Sequence, residues 1–220
     1  ISAARKATKT MRQAPIYYGK FLETGAAAAL ACAEDAGTKA IADVGESFSF
    51  RSLPRHRLDF IRSLMPRFAG IVCVSPRLKD ELIWLGANPG KILMLPNEAD
   101  PKRFFPCDQN FCRKKLKLPL APCRIVIFVG HFNKRKGPDR VLAALEKLSP
   151  NIKGVFLGRG PLKPTGPRVL HAGPVPNSLV PTWLNASDAF VLPTKSEGWC
   201  NAIEEAAACG LSLVVSDIPE

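Results

Sequence analysis

The 220-residue sequence has no apolar run long enough to cross a bilayer; the longest, residues 25–33, falls far short of the ~20 residues a spanning helix needs. That run lies between Glu23 and Glu34 with no cleavage signal beside it, so it does not read as a secretory leader, and a soluble chain is expected. Histidine is scarce, at three residues, and no CxxC pair occurs. The seven cysteines (Cys32, Cys73, Cys107, Cys112, Cys123, Cys200 and Cys209) are odd in number and irregularly spaced, which excludes a disulfide framework. Cys107, Cys112 and Cys123 cluster loosely, but no histidine is near enough to complete a zinc-site spacing. Reduced thiols in a cytosolic protein are the expectation. There is no internal repeat and no low-complexity tract. Acidic residues are nearly missing from one stretch: residues 101–168 hold 16 Lys and Arg against three Asp and Glu.

What is present bounds the answer further. Apolar residues make up 46% of the chain, too many for disorder, and the length fits one large domain or two small ones. The net charge of +12 divides into +4 over residues 1–100, +13 over 101–168 and −5 over 169–220. So basic a middle suits an anionic partner: nucleic acid, an acidic membrane surface, or the phosphates of a small substrate. Nine of the 20 prolines fall within residues 101–168 and disfavour long helices there.

Short β-branched runs alternate with helical patterns along most of the chain. Residues 39–43, 70–74 and 91–95 read as strands, and apolar positions over 58–68 recur at helical spacing. Ser75 and Pro76 form an N-cap and first helical position, and that helix stops at Gly86. A stretch rich in proline and charge follows, residues 97–119, and reads as a linker. A second series then begins, with strands at 123–130, 153–158, 168–173, 188–193 and 211–215 and helices near 141–148, 179–186 and 202–209. Such alternation predicts α/β architecture with parallel sheets.

Ligands of such sheets sit in loops after the strands. Three consecutive cations, Lys134, Arg135 and Lys136, follow Gly130 and His131 and directly precede a helix. Cations beside a helix N-terminus suit phosphate, although a solvated basic loop has the same pattern. LGRGP, residues 157–161, lacks the full GxGxxG fingerprint and by itself reads as a turn. In SEGWCNAIEEAAACG, residues 196–210, Asn201 is the expected helix cap and Glu204 completes a capping box. Glu205 also sits in the first turn, where the helix dipole favours acid. Glu197, beside Gly198 at a strand's carboxyl end, has no such structural reason.

These segments, in order, resemble family 4 retaining glycosyltransferases of the GT-B fold. Glu197 and Glu205 stand at the spacing of that family's E-x7-E signature. Residues 128–148 resemble its strand–loop–KG–helix segment, 154–162 its glycine turn, 169–194 the stretch leading to the signature, and 72–106 the end of its first domain with the linker. The resemblance covers about residues 70–218 and implies two Rossmann-like domains facing a cleft. The first would be 1–96 and the second 120–220, with 97–119 between them. It also implies that both domains are incomplete in this sequence, in keeping with Ile1 and Glu220 reading as cut ends.

By position, the resemblance assigns Lys136 to the donor diphosphate and the charge on the leaving nucleotide. Glu205 would bind the ribose hydroxyls. Glu197 would contact the transferred sugar, with backbone amides of Gly198, Trp199, Cys200 and Asn201. Gly130 and Arg135 complete the phosphate loop. His131 replaces the family's usual arginine and binds an anion less strongly when neutral. Glu98 replaces a linker glycine. The loop resembling the acceptor-side histidine loop, residues 43–47, has no histidine; Glu46 or Ser47 would line the acceptor pocket, or Glu46 is a satisfied loop carboxylate. His56 and His171 read as structural.

The expected donor is a nucleotide-diphosphate-sugar and the acceptor a hydroxyl group. No cofactor and no metal is expected: the D-x-D motif common in metal-using glycosyltransferases is missing, and fixed cations with a helix N-terminus can neutralise a diphosphate. A basic nucleic-acid-binding module is a second reading, although no such motif is present. A nucleotide-sugar epimerase of the same fold is a third. The surplus charge suits a cytoplasmic protein in peripheral contact with anionic membrane.

Overall fold

The computed structural model describes residues 14–218; Ile1 and Glu220 lie outside them. The chain forms two compact units. The first runs to Asn97 and also takes in Glu197–Trp199, while the second comprises Glu98–Ser196 and Cys200–Ile218.

In the first unit, β1 (Ile16–Lys20) leads through a π-helical turn, Phe21–Ala26, into α1 (Ala27–Asp35). β2 (Lys39–Val44), α2 (Arg55–Leu64), β3 (Gly70–Cys73), α3 (Pro76–Trp84) and β4 (Ile92–Met94) follow. The strands pair in the order β1-β2-β3-β4, all parallel. Both faces of a parallel sheet must be covered, and the inner strands are accordingly rich in buried apolar side chains. Ala42, Val44, Ile71 and Cys73 join Leu22, Leu30, Phe50, Ile61, Phe68 and Leu82 in the core. α3 starts where the sequence places it: the Ser75 hydroxyl accepts from the Leu78 amide and Pro76 occupies the first turn.

In the second unit, α4 (Gln109–Lys115) precedes β5 (Arg124–Val129), α5 (Pro138–Lys147), β6 (Ile152–Leu157) and β7 (Val169–Gly173). A 3-10 turn, Asn177–Leu179, then opens α6 (Val180–Asn185), followed by β8 (Ala189–Leu192), α7 (Asn201–Ala208) and β9 (Ser212–Val215). The sheet order is β7-β6-β5-β8-β9, again all parallel. Ile125, Ile127, Phe128, Phe156, Phe190 and Leu192 form its core with Leu145 and Leu184 from the covering helices. Both sheets are α/β as expected.

The stretch read as a linker is more than that. Its α4 belongs to the second unit, capped by Asp108, whose Oδ1 accepts from the Phe111 amide at 2.6 Å. Arg113 is only 2% exposed. Its guanidinium pairs with Asp188 at 2.6 Å and donates to the carbonyls of Ala186 (2.8 Å) and Cys123 (2.9 Å). A helix anchored by one buried arginine carries no apolar periodicity, so composition alone makes it look like a tether.

Candidate functional site

In an open α/β sheet the ligand crevice forms where consecutive connections leave the sheet on opposite sides. In the second unit that point is β5, which has β6 on one side and β8 on the other. The loops after β5 and β8 therefore meet at one end of the sheet. The Lys195 amide donates to the Arg135 carbonyl at 3.0 Å, and Arg135 Nη1 donates to the Ser196 carbonyl. Lys136 Nζ lies 3.8 Å from Cys200 Sγ, at the start of α7. An ammonium group and a helix N-terminus thus face the same space, the arrangement that binds phosphate.

Two braces hold this loop, and neither is conspicuous in the sequence. Asn133 Oδ1 accepts from the Lys136 amide at 2.9 Å and its carbonyl accepts from Gly137 at 3.0 Å. Arg140 donates to the carbonyls of Lys134 and Arg135, each at 3.1 Å, and to that of Pro193. Asn133 was detectable as an asparagine three residues before Lys136, a turn-capping position. The three consecutive cations do not act alike. Lys134 pairs with Asp139 at 3.0 Å on the surface, leaving Arg135 and Lys136 in the site.

Beside the loop lies a hollow of about 580 Å³, lined by Gly130, His131, Gly158, Arg159, Asn177 and Val180 among others. Gly158 permits its floor: a Cβ there would stand 1.9 Å from the Gly130 carbonyl oxygen, so the β5 and β6 loops approach only because no side chain intervenes. His131 is exposed on the rim. Glu205 is half-buried in α7; burial raises its carboxyl above the ordinary value, and the Arg103 charge partly opposes that.

The structure parts from expectation along 197–201. Asn201 is the first residue of α7 rather than its cap; the cap position is Cys200, which forms no side-chain cap bond. Trp199 is committed to the first unit, packed on its core with the indole N–H donating to the Asn97 carbonyl at 2.9 Å. Gly198 packs there too, where a Cβ would stand 2.5 Å from the Gly45 oxygen and 2.6 Å from that of Glu46. The buried Glu197 receives a bond at its carbonyl from Arg77 Nη2 at 3.0 Å. The Glu197–Glu205 spacing and the lone Gly198 mark this segment in the sequence, but which unit its residues pack on is a tertiary fact.

Glu46, just after β2 in the first unit, is 5% exposed. Its Oε1 accepts from the Leu22 amide at 2.7 Å, while Oε2 is buried with no hydrogen-bond partner. Burial pushes its carboxyl up; backbone amides of Leu22, Glu46 and Gly45 hold it down, and Asp43 adds to the rise. It is therefore not the fully satisfied loop carboxylate of the alternative reading. His56 is exposed on α2, and His171 stacks 4.7 Å from Trp183. Among the described residues no group of three or more His, Cys, Asp or Glu could hold a metal ion, and no helix is long and apolar enough to cross a membrane.

Residues 123–220 match the family model described as "Glycosyl transferases group 1". The chain is similar to the putative teichuronic acid biosynthesis glycosyltransferase TuaC of Bacillus subtilis. The two are 32% identical over 150 residues, covering 67% of this chain and 38% of TuaC. It is also similar to D-inositol 3-phosphate glycosyltransferase 2 of Catenulispora acidiphila, 29% identical over 161 residues, covering 63% of this chain and 38% of that protein. The chain thus spans 38% of the length of each of these relatives. Among solved structures, Anabaena HepE in complex with UDP-glucose superposes with a TM-score of 0.83 at 16% identity, over 98% of this chain and 63% of that one. At that identity the likeness shows the fold, which is the GT-B type.

Proposed function

We propose that this chain carries the donor site of a retaining, family 4 glycosyltransferase that moves a sugar from a nucleotide-diphosphate-sugar to a hydroxyl acceptor. One observation carries the reading: Arg135 and Lys136 are locked against the β8 loop and the start of α7, next to the 580 Å³ hollow at the switch point of the sheet. The hollow takes the nucleoside. Lys136, Arg135 and the α7 amides take the diphosphate, and Glu205 the ribose hydroxyls. As the anomeric bond breaks, negative charge builds on the leaving diphosphate, and donors already fixed there stabilise it without reorganisation. His131 adds a hydrogen bond at the rim. Glu197 and Glu46 are assigned to the transferred sugar and the acceptor respectively. Because the diphosphate charge is met by side chains and amides, the reading requires no metal ion. It includes a cytoplasmic location with peripheral contact between the basic stretch and anionic membrane.

Titration calorimetry with UDP and GDP tests it. One of the two binds, and Lys136→Ala weakens that binding about tenfold or more, the worth of a charge-assisted hydrogen bond. No affinity for either nucleotide, or an unaltered affinity in the variant, overturns the reading.

A further inference from the structure

The segment running from the Asn177–Leu179 turn through α6 is a wall with a hollow on each side. Asn177 and Val180 face the hollow described above. Ser178 and Thr182 face a second one of about 390 Å³, whose other lining includes Arg103, Lys115, Phe105 and Phe111. Arg103, Phe105, Phe111 and Lys115 bring the stretch read as a linker to this second hollow, and none of its lining residues is assigned to the proposed transfer. Its chemistry is unusual for a surface depression. Phe105 is 48% exposed and Phe111 64%, so two aromatic rings stand in water beside two cations. Lys115 has no ion pair among the described residues. Arg103 spends one N–H on the Asn177 carbonyl at 3.1 Å, lies 5.2 Å over the Phe104 ring, and also holds the Glu205 carboxyl down by its charge, yet it has N–H donors beyond the one given to Asn177. The Asn185 amide is already used, bonding Phe105 O at 3.1 Å, Pro181 O at 3.0 Å and the Cys107 amide at 2.7 Å, so it shapes the floor rather than binding.

We propose that this second hollow binds an organic phosphate, its phosphoryl group held by Arg103 and Lys115 and its apolar or ring portion laid against Phe105 and Phe111. Two cations, two hydroxyls and two exposed rings match the two halves of such a molecule, and a bare inorganic anion would leave the rings wet. A soluble ester and the headgroup of an anionic phospholipid share this chemistry.

Cys107 reports on the site, since it is exposed and lines the hollow. Its neighbours Cys112 and Cys209 are buried, and burial next to Cys107 pushes the Cys209 thiol up to about 11, so both react slowly. Site-resolved alkylation is followed with phenyl phosphate, inorganic phosphate, phosphatidylglycerol vesicles or phosphatidylcholine vesicles. Phenyl phosphate is expected to protect Cys107 at a concentration about tenfold below inorganic phosphate, while Cys123 reacts unchanged. Protection by phosphatidylglycerol vesicles alone supports the lipid headgroup as the source. Lys115→Glu and Phe111→Ser, both at exposed positions, each raise the protecting concentration about tenfold or more. Lys136→Ala leaves it unaltered, which separates this site from the donor reading. The proposal is overturned if none of the phosphates protects Cys107, if inorganic phosphate protects as well as phenyl phosphate, or if both exposed-site variants keep the protection.

Discussion

Glu46 in the first unit and Asp188 in the second are both withdrawn carboxylates at strand ends, and they are treated oppositely. Asp188 immediately precedes β8 and is saturated: Arg113 pairs with it at 2.6 Å, Arg124 at 2.8 Å, and the Ile125 amide donates to it at 2.7 Å. Burial alone would raise its carboxyl, but that amide and the two arginines together hold it below the ordinary value. Glu46 follows β2 and has one well-formed bond, from the Leu22 amide, with a buried orphan oxygen and a carboxyl that stays raised although the Glu46 and Gly45 amides also pull it down. The amino ends of parallel strands are where an α/β fold is held together, and the carboxyl ends are where ligands bind. Saturation at the first place and an unmet acceptor at the second follow that division.

The largest test of this contrast removes the organising cation. Arg113→Ala removes one of the three donors of Asp188, leaves the Ala186 and Cys123 carbonyls without theirs, and is expected to cost about 3–5 kcal/mol in urea unfolding, the usual result of breaking a buried pair. A loss under about 1 kcal/mol would remove Asp188 from the structural class. Asp188→Asn comes next, at about 1–3 kcal/mol near neutrality for its lost charge-assisted bonds. Because the folded carboxyl titrates below its unfolded value of about 3.9, its contribution is complete above that pH and fades as pH falls through the folded value. The variant is therefore expected to lose part of the acid limb of the parent's stability curve.

Glu46→Gln has the opposite sign and the smallest effect. The folded carboxyl titrates above its unfolded value of about 4.3, so the folded state is penalised as pH rises past that point. Thermal melts of the variant relative to the parent are expected to improve between pH 4 and 7. A variant that worsens steadily over that range would show that Glu46 works as an ionised anchor, like Asp188.

Much of this was legible in the chain. Buried strands are nearly continuous apolar runs, and Ser75-Pro76 and Gly86 mark a helix with local chemistry alone, so the α/β alternation could be read directly. The glycine-and-cation loop was legible because cations next to a helix start are neighbours in sequence. α4 was not, since its anchor is Arg113 reaching Asp188 across 75 positions. Nor was the commitment of Trp199 to Asn97, 102 positions away, because such a partner depends on packing that no window of sequence contains; Lys134 and Asp139 are only five positions apart, but which of three adjacent cations takes that partner is set by the folded loop.

The sequence by itself determined two parallel α/β sheets, a concentration of positive charge in the middle of the chain, and a glycine-and-cation loop at the end of a strand, each a consequence of local propensity, periodicity or composition. Only the tertiary structure decided which of those cations reach the site, which carboxylates are saturated and which are left wanting, and that a stretch resembling a tether walls a second hollow. Those outcomes depend on burial, on the path of the folded loop and, for the carboxylates and α4, on partners far apart in sequence, all of which arise only when the chain has packed.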